Sequence, residues 1–413
     1  MRTIALSREY ELLVRAATPQ GHGGGGVAAA LASGHGVRGV RWEELVALAE
    51  RHRLAPLLWR HLSSSPPPAD VPREVLERLE SAYLASTAGN LLRRARLHEV
   101  LGALGAAGVP AMLLKGAALV ETVYPEPGLR PMVDLDVLVP AQEIERAHTA
   151  VRNLGYVVNP QQTAETHQGM RDRHYHYPSL VARDGMMAVE IHRHVLMGPS
   201  AFDISGFWER ARPGTGGPAH LLPAPEDLLL HVGIHFSNDR LFWSKGALGQ
   251  LTDMAWIAAC HPLDWDDVVR RAAEYGVGGR LFLALLTARL LVCPDVPESV
   301  LEALRPDGYR PELGRRFVEQ RVLGSRPWIV PWLNRGGDRP AALASRLVPS
   351  PEYLAGRYGA ANGASSAAVL RLYAQRVARG GRLAAPYLLR PRQLVTDIRL
   401  HRWVRSSGIV PMC

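Results

Sequence analysis

Apolar residues recur at helical spacing through most of the first hundred positions. Residues 3–16 form a short amphipathic stretch, and Trp42 to Leu62 carries Leu45, Leu48, Ala49, Leu54, Leu57 and Leu58 three and four apart, with a break expected at Pro56. A long helix is predicted over 73–107, with Val75, Leu79, Leu84, Leu91, Leu92, Leu97 and Leu101 on its apolar side. Residues 19–26, rich in glycine, read as a loop, and the Ser/Pro stretch 63–72 reads as a linker.

The pattern changes at Gly108. Residues 109–114 are a short apolar run, Lys115-Gly116 opens a small helix to Val123, and 132–139 alternates with the β-branched content of a strand. A helix over 141–154 and strands over 155–158, 174–181 and 186–195 follow. From Pro225 the helical period returns, over 226–236, 248–259, 265–275 and 278–292, with several more helices in the tail. The expectation is an α+β chain: a helical region 1–107, a small mixed-sheet core 108–200, a helical domain 201–310 and a basic helical region 311–413.

Composition narrows the class. With 413 residues, 47% hydrophobic and 21% charged, the chain has globular proportions and length for two or three packed units. No apolar run reaches the roughly 18 residues of a membrane span. The first residues lack the apolar stretch of a secretory signal. Cys260, Cys293 and Cys413 are too scattered for a disulfide framework or a structural zinc site. A cytoplasmic protein without a membrane partner is expected. The net charge is +9, yet only two of the 48 cationic residues are lysines, Lys115 and Lys245. Those two therefore mark positions where a compact ammonium serves and a guanidinium fork does not. Nine arginines against the single acid Asp397 lie between Arg371 and Arg405. With sparse aromatics and no RNA-binding motif there, a solvated basic helix pair or the rim of an anionic funnel is preferred to a nucleic-acid site.

The chemistry concentrates in the middle. Asp134 and Asp136 are two apart on a strand, so both carboxylates leave one face while Leu135 and Val137 leave the other. Parallel carboxylates repel unless a cation sits between them, and an oxygen-seeking divalent metal such as Mg²⁺ bridging to phosphates is the usual solution. Glu190, His192 and His194 share a face of a later strand and add a third acid, with His192 lining the site. Lys115-Gly116 stands where a strand turns into a helix N-terminus, a place suited to phosphate. Asp-x-Asp alone is a weak signal; the glycine turn, Arg130 and the third acid together are stronger. His231 and His235 have zinc-like spacing, but Val232 stands where a protease-type motif needs Glu. Gly102, Gly105 and Gly108 lack the order of a dinucleotide fingerprint.

Residues 113–119 (Leu-Leu-Lys-Gly-Ala-Ala-Leu), Tyr124-Pro125, 128–139 (Gly-Leu-Arg-Pro-Met-Val-Asp-Leu-Asp-Val-Leu-Val) and Val189-Glu-Ile-His192 together resemble the uncharacterised nucleotidyltransferase family of bacterial biosynthetic clusters, within the DNA-polymerase-β-like superfamily. The likeness extends to Trp42–Leu62, to Pro225–His235, to Leu251-Thr-Asp-Met254 and to Pro349–Leu354. It implies transfer of a nucleoside monophosphate from an NTP, ATP by default, with two Mg²⁺ ions held by Asp134, Asp136 and Glu190, the last as ligand or base. Lys115, Gly116, Ala117, Arg130, His192 and Lys245 would contact the nucleotide, Arg130 either bracing the strand or touching phosphate. The superfamily's Gly-Ser pair is Gly116-Ala117 here, so no hydroxyl meets the phosphate. The expected acceptor is a small molecule or peptide. The alternatives are a protein or tRNA acceptor, as in toxin-like relatives, and a non-catalytic nucleotide-binding module.

Overall fold

The computed structural model describes residues 4–19, 39–63, 71–159, 174–195, 202–215, 217–238, 246–293, 295–323, 370–371, 373–375 and 391–406. The N-terminal helices are α1 (Arg8–Ala17), α2 (Trp42–His52), α3 (Ala55–Ser63) and α4 (Arg73–Ala106). Ser7 caps α1 by accepting the Tyr10 N–H at 3.3 Å, with Glu9 and Glu11 in the first turn where the dipole favours acids. The break inside 42–62 falls at Arg53, which takes a left-handed φ of 61°; Pro56 sits in the first turn of α3, where its missing N–H costs nothing.

Helix α4 buries Val75, Leu79, Asn90, Leu97, Val100, Leu101 and Leu104. Leu84 and Leu91, expected on that side, are 56% and 51% exposed. At 3.6 residues per turn they lie on the side opposite Val75, so the strict helical period overrules their apolar character.

The α+β core follows as β1 (Met112–Leu113), α5 (Lys115–Thr122), a 3₁₀ turn (Pro127–Leu129), β2 (Asp134–Leu138), α6 (Ile144–Asn153), β3 (Val157–Val158), β4 (Leu180–Val181) and β5 (Ala188–His192). A short α7 (Ser205–Glu209) precedes β6 (Arg212–Pro213) and β7 (Leu221–Leu222). The seven strands form one mixed sheet in the order β3-β4-β5-β2-β1-β7-β6. β2 runs parallel to β5 and antiparallel to β1, and β7 pairs parallel with β1. Of the strand expected over 174–181, only Leu180–Val181 and an isolated bridge from His176 to His192 form. β6 and β7 were not anticipated, because two-residue strands carry no alternation to read. Leu135, Val137, Val189 and Ile191 are 0–1% exposed and make the apolar face, against which α6 packs.

Helices α8 (Pro225–Asn238), α9 (Ala247–Cys260), α10 (Trp265–Glu274), α11 (Gly278–Leu291) and α12 (Glu298–Ala303) complete this part. Helix α11 is buried without interruption from Arg280 to Ala288 and forms the centre of their packing. The N-terminal helices dock on α9 through His52, which bonds the Tyr10 hydroxyl at 3.1 Å and accepts the Leu248 N–H at 3.3 Å. The Gly246 N–H also donates to the Arg51 carbonyl at 2.9 Å.

Two compact units divide the chain, one up to Asp307 and one from Gly308. In the second, α13 (Pro311–Arg321) packs on α14 (Pro391–Ser406). Asp397, the one acid of the arginine-rich tail, is 0% exposed there and accepts from Arg316 and from Gln320 Nε2 at 2.6 Å. Among the described residues no helix is long and apolar enough to cross a membrane.

Candidate active site

The site begins with strand register. Asp134 lies beside Ala188, Asp136 beside Glu190 and Leu138 beside His192. In-register neighbours on parallel strands share a face, so Asp134, Asp136, Glu190 and His192 emerge on the side opposite the apolar layer. Asp136, Glu190 and His192 each offer an atom within 4.8 Å of the others, a set able to hold a metal ion. Asp134 stands one pleat nearer the strand's start and is half-buried.

Two hydrogen-bond donors converge on Asp136. Lys115 Nζ donates to Oδ1 at 2.7 Å, and His192 Nε2 donates to the same oxygen at 2.8 Å. Among the described residues His192 Nδ1 is buried without a hydrogen-bond partner, so the ring's proton belongs on Nε2. Glu190 Oε2 lies 3.6 Å from His192 Nε2 and 3.8 Å from His176 Nε2. His176 Nδ1 donates to the Tyr177 carbonyl at 2.7 Å, which leaves the Nε2 lone pair facing Glu190.

The backbone at Lys115 is unusual. It has a φ of +44°, a left-handed conformation that a residue with a β-carbon resists by roughly 1–2 kcal/mol. The Leu114 N–H donates to the Asp136 carbonyl at 3.0 Å, which ties this turn to β2. Gly116 follows in the first turn of α5, whose amides have no intrahelical acceptor. A β-carbon on Gly116 would lie 2.8 Å from Arg130 Nη1 and 3.0 Å from Met132 Cγ, so any larger residue has to displace one of these side chains.

Arg130 is held from behind. Its Nε and Nη2 each donate to Asp253 on α9 at 2.9 Å, and the Tyr124 hydroxyl adds a third bond to Asp253 at 2.8 Å. Asn90 on α4 fastens the same segment, donating to the carbonyls of Pro127 and Arg130 at 2.5 and 2.8 Å and accepting the Met132 N–H at 3.3 Å. Arg130 thus braces the strand with two nitrogens and leaves Nη1 over the Lys115-Gly116 turn.

The acids face a cleft of about 320 Å³, within the range of small-molecule sites. Lys115, Gly116, Asp134, Asp136 and Glu190 line it from the α+β core, and His52, Val232, His235, Gln250 and Asp253 line it from the helices. Burial, then Asp136 and Glu190, push the Asp134 carboxyl up to about 6. Burial would raise Asp136 as well, but the Lys115 ammonium and His192 outweigh it and hold that carboxyl well below the usual range. Burial would lower Lys115, yet Asp136 and Glu190 more than offset it and keep the ammonium charged. His176 is lowered by burial and stays neutral at pH 7.

The uncharacterised nucleotidyltransferase family matches residues 38–292, well over half of the chain. The chain belongs to this family. It is a transferase enzyme by that membership, and its α+β core carries the acids just described. No curated protein matches it. A solution structure of the antibiotic-resistance factor ANT(2'')-Ia is similar over 45% of this chain and 93% of its own, at 14% identity and a TM-score of 0.31.

Within this nucleotidyltransferase, Lys115, Gly116, Arg130, Asp134, Asp136 and Glu190 border one cleft, while His192 lies fully buried behind Asp136. Ala117 is buried in the first turn of α5. Lys245 lies outside the described residues. Reading the sequence missed Asn90, Asp253 and the place of His176 beside Glu190. Asn90 and Asp253 are polar residues on otherwise helical patterns, and a polar residue at a position phased with Val75 and Leu79 was the available signal for Asn90. Asp253 carried no signal beyond its place in Leu251-Thr-Asp-Met254.

Proposed function

We propose that the protein transfers a nucleoside monophosphate from an NTP, ATP by default, to a small-molecule or peptide acceptor, with Mg²⁺ as the metal. The observation that carries this reading is the in-register placement of Asp136 beside Glu190, with Asp134 one pleat away, at the wall of a cleft that also receives a helix N-terminus. Asp134, Asp136 and Glu190 would hold the metal, which when bound neutralises phosphate charge and polarises the transferred phosphorus. The first-turn amides of α5 and Arg130 Nη1 would cradle the phosphates, since Lys115, Gly116 and Arg130 all line the cleft. His176 Nε2, neutral and with its lone pair toward Glu190, would accept the proton of the attacking acceptor group. His235 and Gln250, which line the cleft from the helices, would orient the acceptor. Transfer of this kind consists mainly of positioning and charge neutralisation, which suits a site built of fixed charges.

The test is isothermal titration of Mg²⁺–NTP into the wild type and into Asp134→Asn plus Asp136→Asn, with circular dichroism confirming the fold. Loss of metal-dependent NTP binding in the double variant is expected. Unchanged affinity and unchanged metal dependence would refute the site.

A further inference from the structure

We propose that the Lys115 ammonium is a built-in counter-ion to Asp136 that takes the place of a second divalent ion, so that the site loads one metal ion and not two. The inference rests on the nucleotidyltransferase reading and sharpens it.

A carboxylate that bridges two ions needs a free lone pair on each oxygen. Asp136 Oδ1 already accepts two N–H donors, from Lys115 at 2.7 Å and from His192 at 2.8 Å, so only Oδ2 is open. Neither donor is placed to swing away. The His192 side chain is 0% exposed, and the Lys115 side chain is 15% exposed. The left-handed turn at Lys115, tied to β2 by the Leu114–Asp136 backbone bond, sets the direction from which the ammonium arrives. A backbone held in a disfavoured conformation at a charged side chain indicates that the position of that charge matters.

Asp134 differs: among the described residues its carboxylate accepts no side-chain hydrogen bond, and Lys115 and Arg130 act on it only through longer-range charge. Asp136 Oδ2 and Glu190 therefore remain open as neighbouring oxygen donors, with Asp134 one pleat away, enough for one hard cation that keeps waters and substrate oxygens in its other positions. Charge agrees. Three carboxylates and one ammonium leave two negative charges, which one divalent ion cancels. A second divalent ion on the Oδ1 side would have to sit against the ammonium itself. The residue choice fits too, because a chain with two lysines among 48 cationic residues keeps one here, where a compact point charge meets Asp136 Oδ1.

Native mass spectrometry of the full chain with Mn²⁺ and the non-hydrolysable α,β-methylene ATP counts the ions directly. The wild type is expected to carry one Mn²⁺ per ternary complex, and Lys115→Met two. Two ions in the wild type overturn the inference and leave nucleotidyl transfer standing. No ion in the wild type overturns that reading, and the inference with it. One ion in a folded Lys115→Met overturns the assignment to Lys115. Should Lys115→Met fail to fold, the wild-type count decides alone.

Discussion

Asp134→Asn isolates the electrostatic cost of the acid cluster. In an unfolded chain the carboxyl ionises near 3.9, whereas in the fold burial, Asp136 and Glu190 push it up to about 6. Two units correspond to about 3 kcal/mol. Because Asp134 keeps some contact with solvent, about 2 kcal/mol is the working figure. Between pH 4 and 6 the folded protein holds a proton that the unfolded chain has released. Stability contributed by Asp134 is therefore present below about pH 4, falls as pH rises to 6, and stays lost above it. Asparagine removes this dependence. The variant should match the wild type near pH 4 and exceed it by about 2 kcal/mol at pH 7.5, measured from paired urea transitions in metal-free buffer. Added Mg²⁺ should stabilise the wild type more than the variant and narrow the gap. A difference that does not change with pH, or a variant less stable at pH 7.5, would show that Asp134 is not strained by its neighbours.

Three other perturbations probe the surrounding frame. Asp253→Ala strands the Arg130 guanidinium and the Tyr124 hydroxyl, and should cost about 3–5 kcal/mol in urea denaturation; combining it with Arg130→Met should cost less than the sum of the two. Gly116→Ala drives a β-carbon against Arg130 Nη1 and Met132, and a loss of about 1–3 kcal/mol is expected; a loss below 0.5 kcal/mol (about the scatter of surface substitutions) contradicts the packing described. Asp397→Ala takes one of two acidic partners from buried Arg316, leaving Glu319, and takes the acceptor from Gln320, so hydrogen exchange should speed selectively in α13 and α14, consistent with about 1–3 kcal/mol lost there; unaltered exchange in both helices would mean Asp397 contributes nothing.

Much of the site can be read locally. Alternation along a strand is a property of the backbone, so Asp134 with Asp136, and Glu190 with His192, necessarily share faces within their own strands. The helical period, applied strictly, even separates buried Leu97 and Leu101 from exposed Leu84 and Leu91. The residues at 113–139 and 189–192 carry the family likeness, which the match over 38–292 shows. What periodicity does not contain is which strand lies beside which, and in what register. Only the pairing of Asp136 with Glu190 makes two separate acidic faces into one, and a slip of one residue would have turned Glu190 into the apolar layer. The partners of Arg130 show the same limit. Asp253 lies 123 residues away, and nothing within either segment announces the bond. Lys115 stood out by its rarity, but rarity identifies a position that needs an ammonium without naming its counterpart. The counterpart, Asp136, follows from a left-handed turn and an antiparallel strand pair, contacts that form only when loop closure has brought β1 onto β2.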